Sequence, residues 1–163
     1  MPDVRTSDHD DVALAAPVAM VSLNPNAWTE PFWVAAGQHR LTVQRCLACG
    51  TVRHPPGPFC PRCRTQDSDW VDLSGRATLY SFTVIRHALA PPLRAYLPMV
   101  IAVVAPDEAP TARLVANLVE VAVGDVAIGM PLEVVWEDAG DGVAVFRFRP
   151  AAPALRRTKE TSS

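Results

Sequence analysis

Cys46-Leu47-Ala48-Cys49 and, ten residues later, Cys60-Pro61-Arg62-Cys63 contain all four cysteines of this 163-residue chain. Two residues between paired cysteines allow a tight turn to direct both sulfurs toward one point. Two such turns supply the four thiolates of a tetrahedral Zn²⁺ site. Because four protein ligands leave no open position on the metal, this zinc is expected to be structural. Two disulfides, a redox-active pair and rubredoxin-like iron are the alternatives.

The residues around the two cysteine pairs predict a compact zinc ribbon. Residues 51–54 can leave the first pair as a short strand, and Pro55-Pro56-Gly57-Pro58 turns the chain back toward the second pair. Residues 40–45 alternate in polarity and enter the first pair as a strand, whereas residues 69–73 complete the ribbon or begin the next domain. We therefore expect the ribbon over residues 40–72.

A short helix is predicted before the ribbon, within residues 27–39. Thr29 suits the N-cap position, Pro31 is tolerated in the first turn, and Gly37 ends the pattern. A helix this short is unstable alone, so its aromatic side chains must be buried against the ribbon, the next domain or another chain. These side chains are Trp28, Phe32 and Trp33.

From residue 73 to residue 150 the pattern is all-β. Segments rich in β-forming residues predict strands at 77–86, 99–104, 112–119, 132–137 and 143–149, with a short helical turn before the fourth. Five strands connected in this way predict a small Greek-key barrel of the OB type, and a half-open β-sandwich is the alternative. The expected fold class is mainly β: a short N-terminal helix, a rubredoxin-like zinc ribbon and a five-stranded OB barrel.

Composition limits the class of protein. Hydrophobic residues make up 49% and charged residues 20%, as in globular proteins, and no apolar run reaches the roughly 20 residues of a membrane span. Residues 1–26 and 151–163 lack sustained periodicity and are expected to form a flexible arm and tail. The acidic N-terminus resembles neither a secretory nor a transit peptide, so we expect a cytoplasmic protein.

The order of helix, double-CxxC ribbon and barrel resembles the acyl-CoA-associated zinc-ribbon/OB-fold family. The resemblance runs from about residue 28 to residue 150. It is carried by Phe32-Trp33, Gln44-Arg45-Cys46-Leu47-Ala48-Cys49-Gly50, and the segments 55–63, 75–84 and 128–134.

The resemblance implies a function. Members of the family look like non-catalytic partners of thiolases, acetyltransferases and the lipid-transfer-protein-like aldolases that shorten steroid side chains held as CoA thioesters. By resemblance, this chain is an accessory subunit that forms a heteromer with such an enzyme, and a retro-aldol step on a steroid-like side chain is favoured. The residues agree, because all four cysteines are expected to bind metal and none remains as a nucleophile.

Candidate contacts with the partner lie in three places. The aromatic helix and the loop over residues 88–97 offer apolar side chains, and the ribbon offers a polar rim. The apolar candidates are Trp28, Phe32, Trp33, Pro91, Pro92 and Leu93. The ribbon candidates are Arg45, Arg53, Arg62 and Arg64, which could contact CoA phosphates or an acidic partner surface, or simply be solvated.

Two other functions compete with this interpretation. One is a nucleic-acid-binding module, because residues 40–64 contain five arginines and no acid. Against it, residues 65–146 contain eleven acids and four arginines, so the barrel is acidic. The other is a stand-alone acyl-CoA-binding protein.

Overall fold

The computed structural model describes residues 11–20 and 22–152. Helix α1 (Glu30–Ala36) precedes a three-stranded antiparallel sheet with the strand order β2-β1-β3. The strands are β1 (Thr42–Cys46), β2 (Val52–Arg53) and β3 (Ser68–Asp72). This sheet carries both cysteine pairs. Strand β3 therefore completes the ribbon and does not begin the barrel.

The remaining five strands close into a barrel with the order β4-β5-β6-β8-β7, and β7 pairs back onto β4. They are β4 (Arg76–Ile85), β5 (Met99–Pro106), β6 (Leu114–Leu118), β7 (Pro131–Gly140) and β8 (Val143–Pro150). The contact of β6 with β8 is parallel, and every other pair is antiparallel. A bulge between Leu79 and Ser81 accompanies the pairing of β4 with both β5 and β7. The closed barrel confirms the OB prediction over the β-sandwich.

The barrel core follows from the alternation along its strands. In β5 and β6 every second side chain is buried, so one face of each strand points inward. Leu79, Val104, Leu114, Leu132 and Phe148 are fully buried there. A second, much smaller cluster of Val43, Ala109 and Ala112 joins the ribbon to the β5–β6 connection. The ribbon thus has little apolar core of its own.

Helix α1 packs on the barrel through Phe32. This side chain is 3% exposed, and its ring centroid lies 5.6 Å from that of Phe146 in an edge-to-face arrangement. The predicted N-cap Thr29 makes no capping bond with its side chain, and Asn26 Oδ1 instead accepts the backbone N–H of Thr29 at 3.1 Å. At the other end, a Cβ on Gly37 would lie 2.0 Å from the carbonyl oxygen of Gly142, so only glycine permits this approach to the β7–β8 hairpin.

The N-terminal segment differs from the expected flexible arm. Ala13 donates its backbone N–H to the carbonyl of Val121, and Leu14 donates to that of Pro98, both at 2.8 Å. Ala13 and Val18 are buried, so residues 12–18 pack on the barrel. The sequence does not predict this contact, because the segment is held by isolated backbone bridges, which require no periodic pattern of side chains. Residues 1–10 of the expected arm and 153–163 of the expected tail lie outside the described residues.

The connections contain short helical turns. One 3-10 helix over Pro91–Tyr96 interrupts the long β4–β5 loop. Another, over Val123–Asp125, lies between β6 and β7, where the sequence predicts a helical turn. Among the helices of the described residues, none has the length and apolar content needed to cross a membrane.

Candidate metal centre and partner surface

The two cysteine pairs form backbone turns of the same kind. In the first, Gly50 donates its N–H to the Cys46 carbonyl, and in the second Arg64 donates to the Cys60 carbonyl, both at 2.9 Å. Gly50 and Arg64 occupy equivalent positions and have positive φ angles of 70° and 63°. Glycine adopts this conformation readily, whereas arginine does so at some cost in strain. The geometry of the turns, which the metal ligands require, is therefore the same in both pairs.

These turns bring the four sulfurs of Cys46, Cys49, Cys60 and Cys63 to within 4.8 Å of one another. The Sγ atoms of Cys46 and Cys63 lie 3.5 Å apart, and those of Cys49 and Cys60 lie 3.6 Å apart. Neither separation is a disulfide, which requires about 2 Å. A tetrahedral zinc site with Zn–S bonds of about 2.3 Å separates its sulfurs by about 3.8 Å. The cluster therefore fits a structural zinc ion.

The four cysteine thiols can all be ionised at the same time only if a cation lies among them. The backbone N–H of Thr65 favours the Cys63 thiolate, but burial and the three neighbouring sulfurs raise the pKa of Cys63 to about 12. Backbone N–H groups of Cys63 and Arg62 instead lower the pKa of Cys60 to about 6. A divalent metal removes the repulsion among the thiolates and deprotonates all four. The chemistry of the donor set thus agrees with its geometry.

The four ribbon arginines occupy different environments. Arg45 forms a two-armed ion pair with Asp69, in which Nε lies 3.0 Å from Oδ1. Arg53 is buried, and its Nη2 donates to the carbonyl of Gly57 at 3.1 Å. Arg62 and Arg64 are exposed and make no ion pair or hydrogen bond through their side chains with the described residues. Only these last two present free cations to a partner or a phosphate.

The aromatic residues of α1 also separate into different roles. Trp28 is 46% exposed and available for contact, whereas Trp33 is half-buried against the barrel core. Phe32 is buried within this chain and offers no surface to a partner. Of the three side chains expected to anchor a partner, Phe32 is the one that fills the space between helix and barrel.

The β4–β5 loop presents an apolar surface. Pro91 and Pro92 are exposed and Leu93 is half-buried. Leu89, in the same loop, is 96% exposed. Sequence reasoning placed the loop on the surface but did not single out Leu89, since one leucine between two alanines carries no pattern.

A hollow of 510 Å³ lies where α1, the ribbon and the barrel meet. Its floor is the outer face of β5 and β6, the face that binds ligands in many OB folds. Its walls include Phe32 and Trp33 of α1, His54 of the ribbon and Phe146 of β8. The sequence does not predict this hollow, because it depends on how the three parts pack.

A polar clamp holds the N-terminal segment to the barrel. Arg147 is 5% exposed and donates to the carbonyl of Ala16 at 2.6 Å, to Asn117 Oδ1 at 2.8 Å and to Glu137 Oε2 at 2.8 Å. The other Glu137 oxygen accepts the Val18 N–H at 2.8 Å. The sequence does not predict this clamp, because alternation along a strand places Arg147 on the face opposite Phe146 and Phe148, where an arginine is ordinarily exposed.

Two family models match the chain in sequence. The model described as the ChsH2 rubredoxin-like zinc ribbon domain matches residues 33–69, and the model described as the ChsH2 C-terminal OB-fold domain matches residues 70–137. Together they divide the chain at β3, the last strand of the ribbon sheet.

Curated relatives and a solved structure are also similar. A probable enoyl-CoA hydratase alpha subunit of Thermomonospora curvata is 45% identical over 124 residues, and a 3-oxo-4,17-pregnadiene-20-carboxyl-CoA hydratase alpha subunit of Mycobacterium tuberculosis is 37% identical over 125 residues. These matches cover 75% and 77% of this chain but only 37% and 39% of those proteins. A chain of the solved Ltp2-ChsH2(DUF35) aldolase is 40% identical, with a TM-score of 0.72, and the match covers 80% of this chain and all of that one.

Proposed function

Because the chain belongs to the ChsH2 zinc-ribbon and OB-fold family, also called DUF35, we propose that it is the accessory subunit of a thiolase-like enzyme that acts on a CoA thioester. The observation that carries the proposal is its likeness to the whole of one chain of an aldolase complex. Within the proposal we favour retro-aldol cleavage of a steroid-like side chain. The name of the Mycobacterium tuberculosis relative, a hydratase of a steroid CoA thioester, supports this substrate class.

The arrangement of reactive side chains favours a non-catalytic accessory role over a catalytic one. All four cysteines lie in the metal cluster, so no thiol is available for a thiolase-type attack. His39 and Asp138 form a pair at 2.8 Å, but they lie exposed, with His39 stacked on Trp136. A histidine–carboxylate pair needs a nucleophile within hydrogen-bond reach to act as a base. Neither partner has such a nucleophile among its hydrogen-bond contacts in the described chain.

For the partner surface we propose the exposed face of Trp28 together with the β4–β5 loop at Leu89, Pro91 and Pro92. Large apolar side chains left in water at these places are typical anchors of a protein interface. Trp33 and Leu93 contribute their exposed parts. Arg62 and Arg64 supply a basic rim, which favours an acidic surface on the enzyme.

The proposal is tested by co-expression with a thiolase-like enzyme of the same organism. We expect the two chains to elute together on size exclusion, and the complex to cleave a steroid side-chain CoA thioester that neither chain cleaves alone. Trp28→Ala and Leu89→Ala should each weaken the complex by about tenfold or more, the effect of losing an interface anchor.

Ile128→Ala is the matched control, because Ile128 is 70% exposed but lies on the β6–β7 connection, outside the proposed surface. Ile128→Ala should bind the thiolase-like enzyme as tightly as the wild type does. Separate elution of the two chains, together with full activity of the enzyme alone, would contradict the accessory role. A stable complex that acts on a different CoA thioester would contradict only the choice of substrate.

The hollow supports a second candidate, a binding site for the acyl part of a CoA thioester. Its lining is mainly aromatic and aliphatic, which suits an apolar chain. Calorimetry with a long-chain acyl-CoA and with free CoA distinguishes this role, since only the former should bind. The nucleic-acid alternative gains no support here. The outward side chains of β5 and β6 include Ile101, Val115 and Asn117, and none is an aromatic platform for bases.

A further inference from the structure

Arg53 is a buried cation for which the described protein offers no anion. The residue is only 9% exposed, and its Nη2 donates a hydrogen bond to the carbonyl of Gly57. Its Nε and Nη1 atoms are sealed from solvent and have no hydrogen-bond partner among the described residues. A buried charge without a counter-charge costs several kcal/mol, so such an arrangement requires explanation.

The acids near the ribbon do not provide that counter-charge. Residues 40–64 contain no aspartate or glutamate. Of the other ribbon acids, Asp69 binds Arg45 and Asp72 binds Arg40 at 2.8 Å, and Asp67 forms no ion pair with a described residue. Arg53 is thus left without an acidic partner among the described residues, and Arg62, which lines the same groove, also lacks one.

The metal cluster is the remaining source of negative charge. Four thiolates and one Zn²⁺ together leave a net double negative charge. Arg53 lies in strand β2, directly after the first cysteine pair, and its acceptor Gly57 lies between the two pairs. Arg53 and Arg62 line the same groove as Cys49, at the contact of the ribbon with Thr111 of the barrel. Arg53 therefore shares a groove with the metal ligand Cys49, and its Nε and Nη1 atoms are screened from water.

We propose that Arg53 is a positioning residue for the metal centre, whose charge balances the tetrathiolate site and raises its affinity for a divalent metal, with Arg62 contributing at the exposed rim. This assignment differs from a phosphate contact. An anion from solution reaches neither Nε nor Nη1 of Arg53, whereas the charge of the metal centre acts through the low-dielectric interior without direct contact. The inference depends on the zinc ribbon and not on the proposed function.

The first test measures zinc affinity by chelator competition. We expect Arg53→Met to bind zinc about 10- to 100-fold more weakly than the wild type, the range found for outer-shell partners of metal ligands. Arg53→Lys keeps the charge and should recover most of the affinity. Arg40→Met is the matched control, because it removes a ribbon arginine that Asp72 already neutralises. Equal losses in Arg53→Met and Arg53→Lys, or no loss in either, would overturn the proposal.

The second test separates charge from packing. In the iron-substituted ribbon, reduction of Fe³⁺ to Fe²⁺ adds one negative charge to the centre, and nearby cations favour that change. We expect the reduction potential to fall in Arg53→Met, to fall less in Arg62→Met, and to stay unchanged in Arg40→Met. If Arg53→Met fails to fold, Arg53→Lys and Arg62→Met decide. Weak zinc binding by Arg53→Lys, together with an unchanged reduction potential in Arg62→Met, would contradict the proposal.

A measurement with inorganic phosphate tests the competing interpretation, in which Arg53 binds an anion. If millimolar phosphate stabilises the wild type against thermal unfolding and Arg53→Met loses this effect while keeping full zinc affinity, Arg53 belongs to an anion site and the proposal is wrong.

Discussion

His54 is a histidine whose surroundings favour its neutral form. Burial lowers the pKa of His54 to about 4, and its Nδ1 atom has no hydrogen-bond partner among the described residues. Its ring lies 5.0 Å from that of Phe32, in the wall of the hollow. Protonation would place an unpaired charge between the ribbon and α1. Acid is therefore expected to weaken this junction.

The sign of the pH dependence follows from the two pKa values. In the unfolded chain His54 titrates near 6.5, so below that pH the unfolded state binds a proton that the folded state refuses until about pH 4. The penalty is absent above pH 6.5 and grows as the pH falls. Relative to His54→Gln, the wild type should lose about 1 kcal/mol of unfolding free energy between pH 7.5 and pH 5.5, measured by urea unfolding.

The exposed His87 provides the control for this experiment. His87→Gln should leave the pH dependence of the unfolding free energy equal to that of the wild type. If the unfolding free energies of the wild type and His54→Gln change equally over this pH range, burial of the neutral His54 imidazole does not cause any acid sensitivity.

At the scale of the element, α1 shows what periodicity can and cannot predict. Trp28, Phe32 and Trp33 were recognised from the sequence as an aromatic set that needs burial. Which of them is buried depends on the barrel surface that meets the helix, and on the close contact of Gly37 with Gly142. No pattern within the helix contains that information.

Phe32 and Trp28 are expected to respond in opposite ways to substitution. Phe32→Ala removes a buried ring that contacts Phe146 and should lower the unfolding free energy by about 3–5 kcal/mol. Trp28→Ala removes a half-exposed ring and should cost about 1 kcal/mol or less. Chemical denaturation of the isolated chain measures both. Similar losses in the two variants would show that the helix is not anchored through Phe32.

The ribbon and the barrel strands were predictable for different physical reasons. Two-residue spacing between cysteines is itself a geometric constraint, so the ligand set could be read directly from residues 46–63. Segments rich in β-forming residues predicted the five strands, and five strands with a helical turn before the fourth predicted the barrel. The contact of residues 12–18 with the barrel was not predictable, because it depends on Arg147 and Glu137, more than 100 residues away in sequence.

The described molecule contains one large apolar cluster and one small one. The barrel and α1 share one large apolar cluster that includes Phe32, Leu79 and Phe148. The ribbon adds Leu41 to this cluster, and a second cluster joins Val43 to Ala109 and Ala112 of the barrel, with Val52, Val71 and Leu73 packed against it. Apolar burial can therefore support the barrel and the helix, whereas the ribbon depends on its metal centre.

Removal of the metal should consequently unfold one part and leave the other. We expect purified protein to contain one zinc per chain. A strong chelator should then release the ribbon amides to hydrogen exchange, including the Cys46 N–H that now bonds to the Thr51 carbonyl at 2.9 Å. Amides of β5 and β8 should stay protected, and α1 with them, because Phe32 holds the helix to the barrel. Cys60→Ala should reproduce the pattern without chelator. Loss of protection throughout the chain would mean that the barrel core is not sufficient alone, and unchanged protection of the ribbon would mean that the metal does not stabilise it.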